Sequence, residues 1–254
     1  MKLLKAMAIA FSIYSKIPVP QFEWKEEDME YMMCFFPWIG GVIGMFFFGW
    51  AVLCEKFAVG NVCYALIGAA IPLMISGGFH VDGYMDTMDA FHSYQSREKK
   101  LEILKDSHIG AFAAIMLALY YMIDIAAISE IHTQKAVSAV AAVFFLARCF
   151  SGIAVMTVQP AKKEGLLYTF ASSAQKVRVK AALYFQAALC VAIMLLVSGW
   201  YGAAAIGAAL LSFFYFKKKS YKELGGITGD TAGFFVTVCE AAAAAAVAVA
   251  GYFL

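Results

Sequence analysis

Charge is scarce in this chain: 15% of its 254 residues are Asp, Glu, Lys or Arg, against 63% that are hydrophobic, and the mean hydropathy is +0.74. That balance excludes an ordinary soluble domain and makes lipid the expected solvent. The bases that do occur are spread thinly between apolar blocks and leave a formal net charge of only +2. A nucleic-acid binder, which needs a dense basic surface to neutralise phosphates, is thereby set aside. No Cys-x-x-Cys pair occurs among Cys34, Cys54, Cys63, Cys149, Cys190 and Cys239, which argues against a zinc knuckle and against a disulfide framework. These thiols lie in or beside apolar stretches and read as packing residues. The opening MKLLKAMAIAFSIYSKIPVP has a basic tip and a short apolar run but no small-x-small cleavage site. It is expected to be retained as a short interfacial or half-inserted helix.

What is abundant is apolar sequence in span-length blocks. A crossing needs about 20 mainly apolar residues, and the chain offers seven candidates, at about 32–54, 58–79, 109–128, 136–158, 181–198, 200–216 and 232–254. The predicted fold is therefore all-α: a polytopic membrane helix bundle of about seven transmembrane helices, forming a single domain over 1–254. The alanine-rich run near the C-terminus fits a packing helix, since small residues let membrane helices approach closely. The segments before the first candidate span and after the second, fourth and sixth hold 17 of the 20 Lys and Arg residues. Positively charged loops stay cytoplasmic, so the N-terminus is expected inside and the C-terminus outside.

One segment, 80–108, read as the longest loop, collects four of the seven Asp and three of the four His residues. Asp82, Asp86 and Asp89 stand at i, i+4 and i+7, which places them on one face if the segment is helical. Their mutual repulsion calls for a cation, and hard oxygen donors suit magnesium or manganese better than zinc. Zinc on His80, His92, His108 and Asp82 matches no standard spacing. Asp106 and Ser107 precede the third candidate span, where a helix N-terminus takes a cap or an anion. Asp82 and Asp230 both complete the pattern Gly-Gly-x-x-x-Asp, a glycine-rich turn before a helix, and the basic-loop bias puts both on the same membrane face. Gly226 and Thr228 lie inside the second of these turns. Arg148 and Asp124 fall within spans, where charge is expensive and calls for a partner or a polar cavity.

SGGFHVDGYMDTMDAF, KDSHIGAF and LGGITGDTAG resemble the adenosylcobinamide-GDP ribazoletransferase family, also called cobalamin (5'-phosphate) synthase. The likeness runs nearly end to end: FSIYSKIPVP is similar to the family's opening FxTRxPVP, with Ser-Lys for Thr-Arg, and CFFPWIGGVIG to its first-span motif. The resemblance implies a magnesium-dependent transferase in the prokaryotic inner membrane. It would move the phosphoryl-cobinamide group of adenosylcobinamide-GDP to α-ribazole or its 5'-phosphate and release GMP. On that reading Asp82, Asp86, Asp89 and Asp106 are the metal ligands, and one of Asp82, Asp89 or Asp106 takes the acceptor's proton. His80, Lys105, Ser107, His108, Arg148, Gly226, Thr228 and Asp230 face substrate. A prenyltransferase, a CDP-alcohol phosphotransferase and a cation transporter are the rival readings of an acidic cluster at a membrane surface.

Overall fold

The computed structural model describes residues 2–20, 23–162 and 164–253. Its helices, in chain order, are α1 (Lys2–Tyr14), α2 (Phe36–Lys56), α3 (Asn61–Ser76), α4 (Phe79–His92), α5 (Arg97–Ile103), α6 (Ala111–Ile128), α7 (Gln134–Thr157), α8 (Leu166–Ser173), α9 (Lys176–Ser198), α10 (Trp200–Leu224) and α11 (Gly229–Gly251). Among the described residues there is no strand, only an isolated parallel bridge between Pro160 and Ile227. In a bilayer a helix satisfies its own backbone polar groups, which is why apolar sequence of this length resolves into helices.

All seven apolar stretches lie on helices, but they are not equivalent. By length and composition α2, α6, α7, α9 and α11 are able to cross a membrane, which makes five, and α3 with α4 makes a sixth as a pair bent by 97°. Five to six of the expected crossings, of about seven, are thus met by length and composition. α10 is helical but continues from its apolar stretch into KKKSYKEL, and α3 stops after 16 residues.

α7 and α11 form the centre of the bundle, with α2, α9 and α10 around them and α4 and α6 closing the remaining side. α2 lies against α7 at Gly40 and Gly44, where a methyl group would run into the backbone of Phe144 and Ala141. Two small residues four apart permit that backbone contact. α1 buries Ala6, Ile9, Ala10 and Tyr14 while Leu3, Leu4 and Met7 stay exposed, an amphipathic arrangement suited to an interface.

The segment read as a loop is the main departure. Residues 79–92 form α4, packed against α11 and α6, and 97–103 form α5. Thr87 and Ala90 are fully buried on α4. Hydropathy missed this helix because its buried face includes His80, Gly83, Tyr84 and Thr87, which are not strongly apolar, and its other face carries the carboxylates.

Candidate active site

The two Gly-Gly-x-x-x-Asp segments form matching breaks. Gly77 ends α3 at φ 67° and Gly225 ends α10 at φ 71°, the left-handed conformation that favours glycine. In each case a new helix follows within a few residues with its Asp in the first turn, Asp82 on α4 and Asp230 on α11. These two first turns touch through glycine. A Cβ on Gly83 would lie 2.8 Å from the carbonyl oxygen of Asp230, and one on Gly233 would lie 3.1 Å from that of His80. Two helix N-termini, each with unpaired amides, are thus brought together beside two carboxylates, an arrangement suited to a phosphate bridged by a cation.

The second break is tied to a neighbouring loop. Ala161 N donates to Ile227 O at 2.8 Å and Ile227 N to Gln159 O at 3.0 Å, and Gly226 packs against the same segment. This tie carries Lys162 to the site. Its Nζ donates to Leu101 O at 2.8 Å, and burial, then the charge of Lys105, pull its pKa down. Thr228 caps α11: its Oγ1 accepts from Thr231 N at 3.1 Å and donates to Asp230 Oδ2 at 3.3 Å.

Between these elements lies a cavity of about 500 Å³ with two unlike ends. Asp82, Asp230, Lys105 and Lys162 line the polar end, together with the first turn of α11. Tyr14, Phe36, Phe79 and Phe170 line the other, with Tyr14 centred 4.5 Å from Phe36 and 5.1 Å from Phe79. His80 is buried among these rings, 5.6 Å from Phe36.

Asp86 is half-buried on α4, one turn after Asp82 and three residues before Asp89. The contact of Gly83 with the Asp230 backbone brings a fourth carboxylate, 144 residues from Asp86 in sequence, to the same region. Among the described residues, no three His, Cys, Asp or Glu side chains converge as a ready ligand set.

The structure assigns other work to several sequence candidates. Asp89 is the cap of α6: its Oδ2 accepts from Gly110 N at 2.7 Å and its Oδ1 from Ala113 N at 2.8 Å. Ser107 and Asp106 consequently do not cap that helix. Asp106, Ser107 and His108 lie on an exposed loop outside the cavity, with Asp106 Oδ1 2.6 Å from His108 Nδ1, a contact that lowers the Asp106 pKa. Lys105 does line the cavity, with its Nζ 2.6 Å from Glu164 Oε1.

Arg148 is 1% exposed and does not line the cavity. Its Nη1 donates to Glu240 Oε1 at 2.7 Å and to Phe144 O at 2.8 Å, because a guanidinium at this depth needs an anion and a carbonyl more than it needs a ligand. Lys162, Glu164 and the aromatic wall went unrecognised in the sequence. The only signal for the first two was charge in the loop after the fourth candidate span.

Taken together, the fold and site define a polytopic helical membrane protein with two carboxylates, Asp82 and Asp230, in the wall of a partly aromatic cavity. Residues 6–248 match the family model described as cobalamin-5-phosphate synthase, so the chain belongs to that family. It is 44% identical over 250 residues to an adenosylcobinamide-GDP ribazoletransferase of Lachnoclostridium phytofermentans, covering 98% of this chain and 95% of the relative. Proteins of the same name from Clostridium botulinum and Azorhizobium caulinodans are 30% and 29% identical, covering 94% and 95% of this chain and 94% of each relative. No solved structure matches.

Proposed function

We propose that this protein transfers the phosphoryl-cobinamide group of adenosylcobinamide-GDP to α-ribazole or α-ribazole 5'-phosphate and releases GMP, completing the nucleotide loop of cobalamin. The observation that carries this reading is the glycine-to-backbone crossing of α4 and α11, which sets Asp82, Asp230 and two helix N-termini at one cavity. Family membership and the names of the relatives support the same conclusion.

In this reading the acceptor hydroxyl oxygen forms a bond to the cobinamide phosphorus. The bridging P–O bond to the GMP phosphate breaks, and GMP leaves with the bridging oxygen. The hydroxyl proton passes to Asp82, which lines the cavity and lacks the paired backbone contacts that occupy Asp89. Lys105, Lys162 and the first-turn amides of α11 hold the diphosphate oxygens. The aromatic end excludes water and accepts a planar ring.

Hard oxygen donors suit magnesium, with manganese as an alternative, and the two carboxylates of the cavity wall, Asp82 and Asp230, would hold it, with Asp86 adding negative charge from the next turn of α4. Such an ion keeps waters and substrate phosphates in its shell, so a full set of protein ligands is not needed; when bound, it offsets the negative charge of the diphosphate. The distribution of bases supports a cytoplasmic active site, with the N-terminus inside and, counting α3 and α10 as crossings, the C-terminus outside.

The test is GMP release by the purified protein in lipid vesicles given adenosylcobinamide-GDP, α-ribazole 5'-phosphate and magnesium, with Asp86→Asn alongside. Acceptor-dependent GMP that is lost in the variant is the expected result. Folded wild type that releases no GMP would sink the reading.

A further inference from the structure

A second cavity, of about 530 Å³, lies across the first turn of α4 from the one described. The two share only Phe79 and Asp82. Helical geometry explains the division. His80 and Gly83 face the first cavity and Val81 and Met85 the second, while Phe79 and Asp82, three apart, form the edge between them.

The second cavity is walled by the end of α1, the α3–α4 break and α6, through Ser12, Lys16, Gly78 and Tyr121 among others. Ser15 and Ser76 also line it, but their hydroxyls are committed to Phe11 O at 2.6 Å and Pro72 O at 2.7 Å. Lys16 is different. Its backbone N donates to Ile75 O at 2.8 Å, and its side chain lies over Gly77, filling the space a Cβ would take. The residue is thus anchored at the break while its side chain stays exposed, and it takes part in none of the ion pairs among the described residues.

We propose that this second cavity binds the acceptor nucleotide, with Lys16 holding its phosphomonoester, while the first cavity binds the nucleoside diphosphate of the donor. The inference rests on the transferase reading. In-line phosphoryl transfer needs attacking and leaving oxygens on opposite sides of the phosphorus, and two cavities that meet at one carboxylate provide two such approaches. Charge sorts the substrates. The first cavity has Lys105, Lys162 and the α11 N-terminus for a diphosphate, whereas the second has the single cation Lys16, suited to a monoester. Lys16 also belongs to the SKIPVP segment, to which the site described above gives no role.

The experiment compares wild type, Lys16→Met and Lys16→Arg in vesicles by GMP release; Met keeps an apolar stem over Gly77 and removes only the charge. The KM for α-ribazole 5'-phosphate is expected to rise about tenfold to a hundredfold in Lys16→Met, the usual scale for losing a charge-assisted hydrogen bond. The donor KM should move less than about twofold on the same grounds, and Lys16→Arg should recover most of the loss. Free α-ribazole, read as a substrate or as an inhibitor, reports on the base and sugar alone. A donor KM that rises with the acceptor KM, or an equal loss of affinity for free α-ribazole, would overturn the assignment. Absence of GMP from folded wild type is a separate outcome, which removes the transferase reading and this inference with it.

Discussion

Replacing Gly83 by alanine tests the crossing on which the active site depends. The added methyl would lie 2.8 Å from Asp230 O and 3.0 Å from Asp230 Cα, and both are backbone atoms that no rotamer change relieves. Ordinary contact needs about 3.5–4.0 Å, so α4 must withdraw from α11 by roughly 0.5–1 Å. Overpacking of this kind costs about 1–3 kcal/mol. For a chain of this size that is a fall of roughly 2–12 °C in Tm. The loss of activity should be larger than the loss of stability suggests, because a misplacement of about 1 Å between reacting groups costs up to about a hundredfold in rate. Thermal unfolding in detergent and GMP release in vesicles, at a temperature where the variant is folded, separate the two effects. Gly207→Ala on α10 is the control, since nothing lies within 4 Å of its Cβ position. There, alanine should be neutral or stabilise by up to about 1 kcal/mol. Gly83→Ala with wild-type turnover and Tm, or Gly207→Ala with the same deficit, would refute the crossing argument.

Asp89→Ala should act on stability through α6, because it frees the N–H groups of Gly110 and Ala113; a loss of about 0.5–2 kcal/mol is expected, read as a lower Tm that added magnesium does not restore. Arg148→Met should cost about 3–5 kcal/mol by leaving the buried Glu240 without its cation, and Glu240→Gln in the same chain should recover much of it. Equal Tm values for Arg148→Met and the double variant would show that the pair is not coupled.

How far the sequence foretold this molecule can be followed residue by residue. The apolar blocks announced their helices, and the two glycine pairs announced their turns, since a left-handed φ at Gly77 and Gly225 is a local property. The carboxylate cluster was visible on one face of 82–89 for the same reason. What escaped was long-range. Nothing near Asp89 reveals that the helix it caps begins 22 residues later, at Ala111. Lys162 reaches the cavity only because Ala161 bonds to Ile227, and Arg148 turned from a ligand candidate into a structural cation once Glu240 was found opposite it. Hydropathy counted α4 as loop because it averages over a helix, whereas burial distinguishes the helix faces.

The contact between α4 and α11 also sets the order in which the protein can be made. Asp82, Asp86 and Asp89 enter the membrane region with the first third of the chain, yet Asp230 and the glycine surface they pack against arrive with the last helix. Until α11 inserts, the first cavity lacks the wall formed by Gly229, Asp230, Ala232 and Gly233, and the first turn of α4 lacks the surface that Gly83 packs against. Biogenesis therefore ends, rather than begins, with the catalytic centre, and a chain cut short before residue 229 would be embedded in the membrane without one.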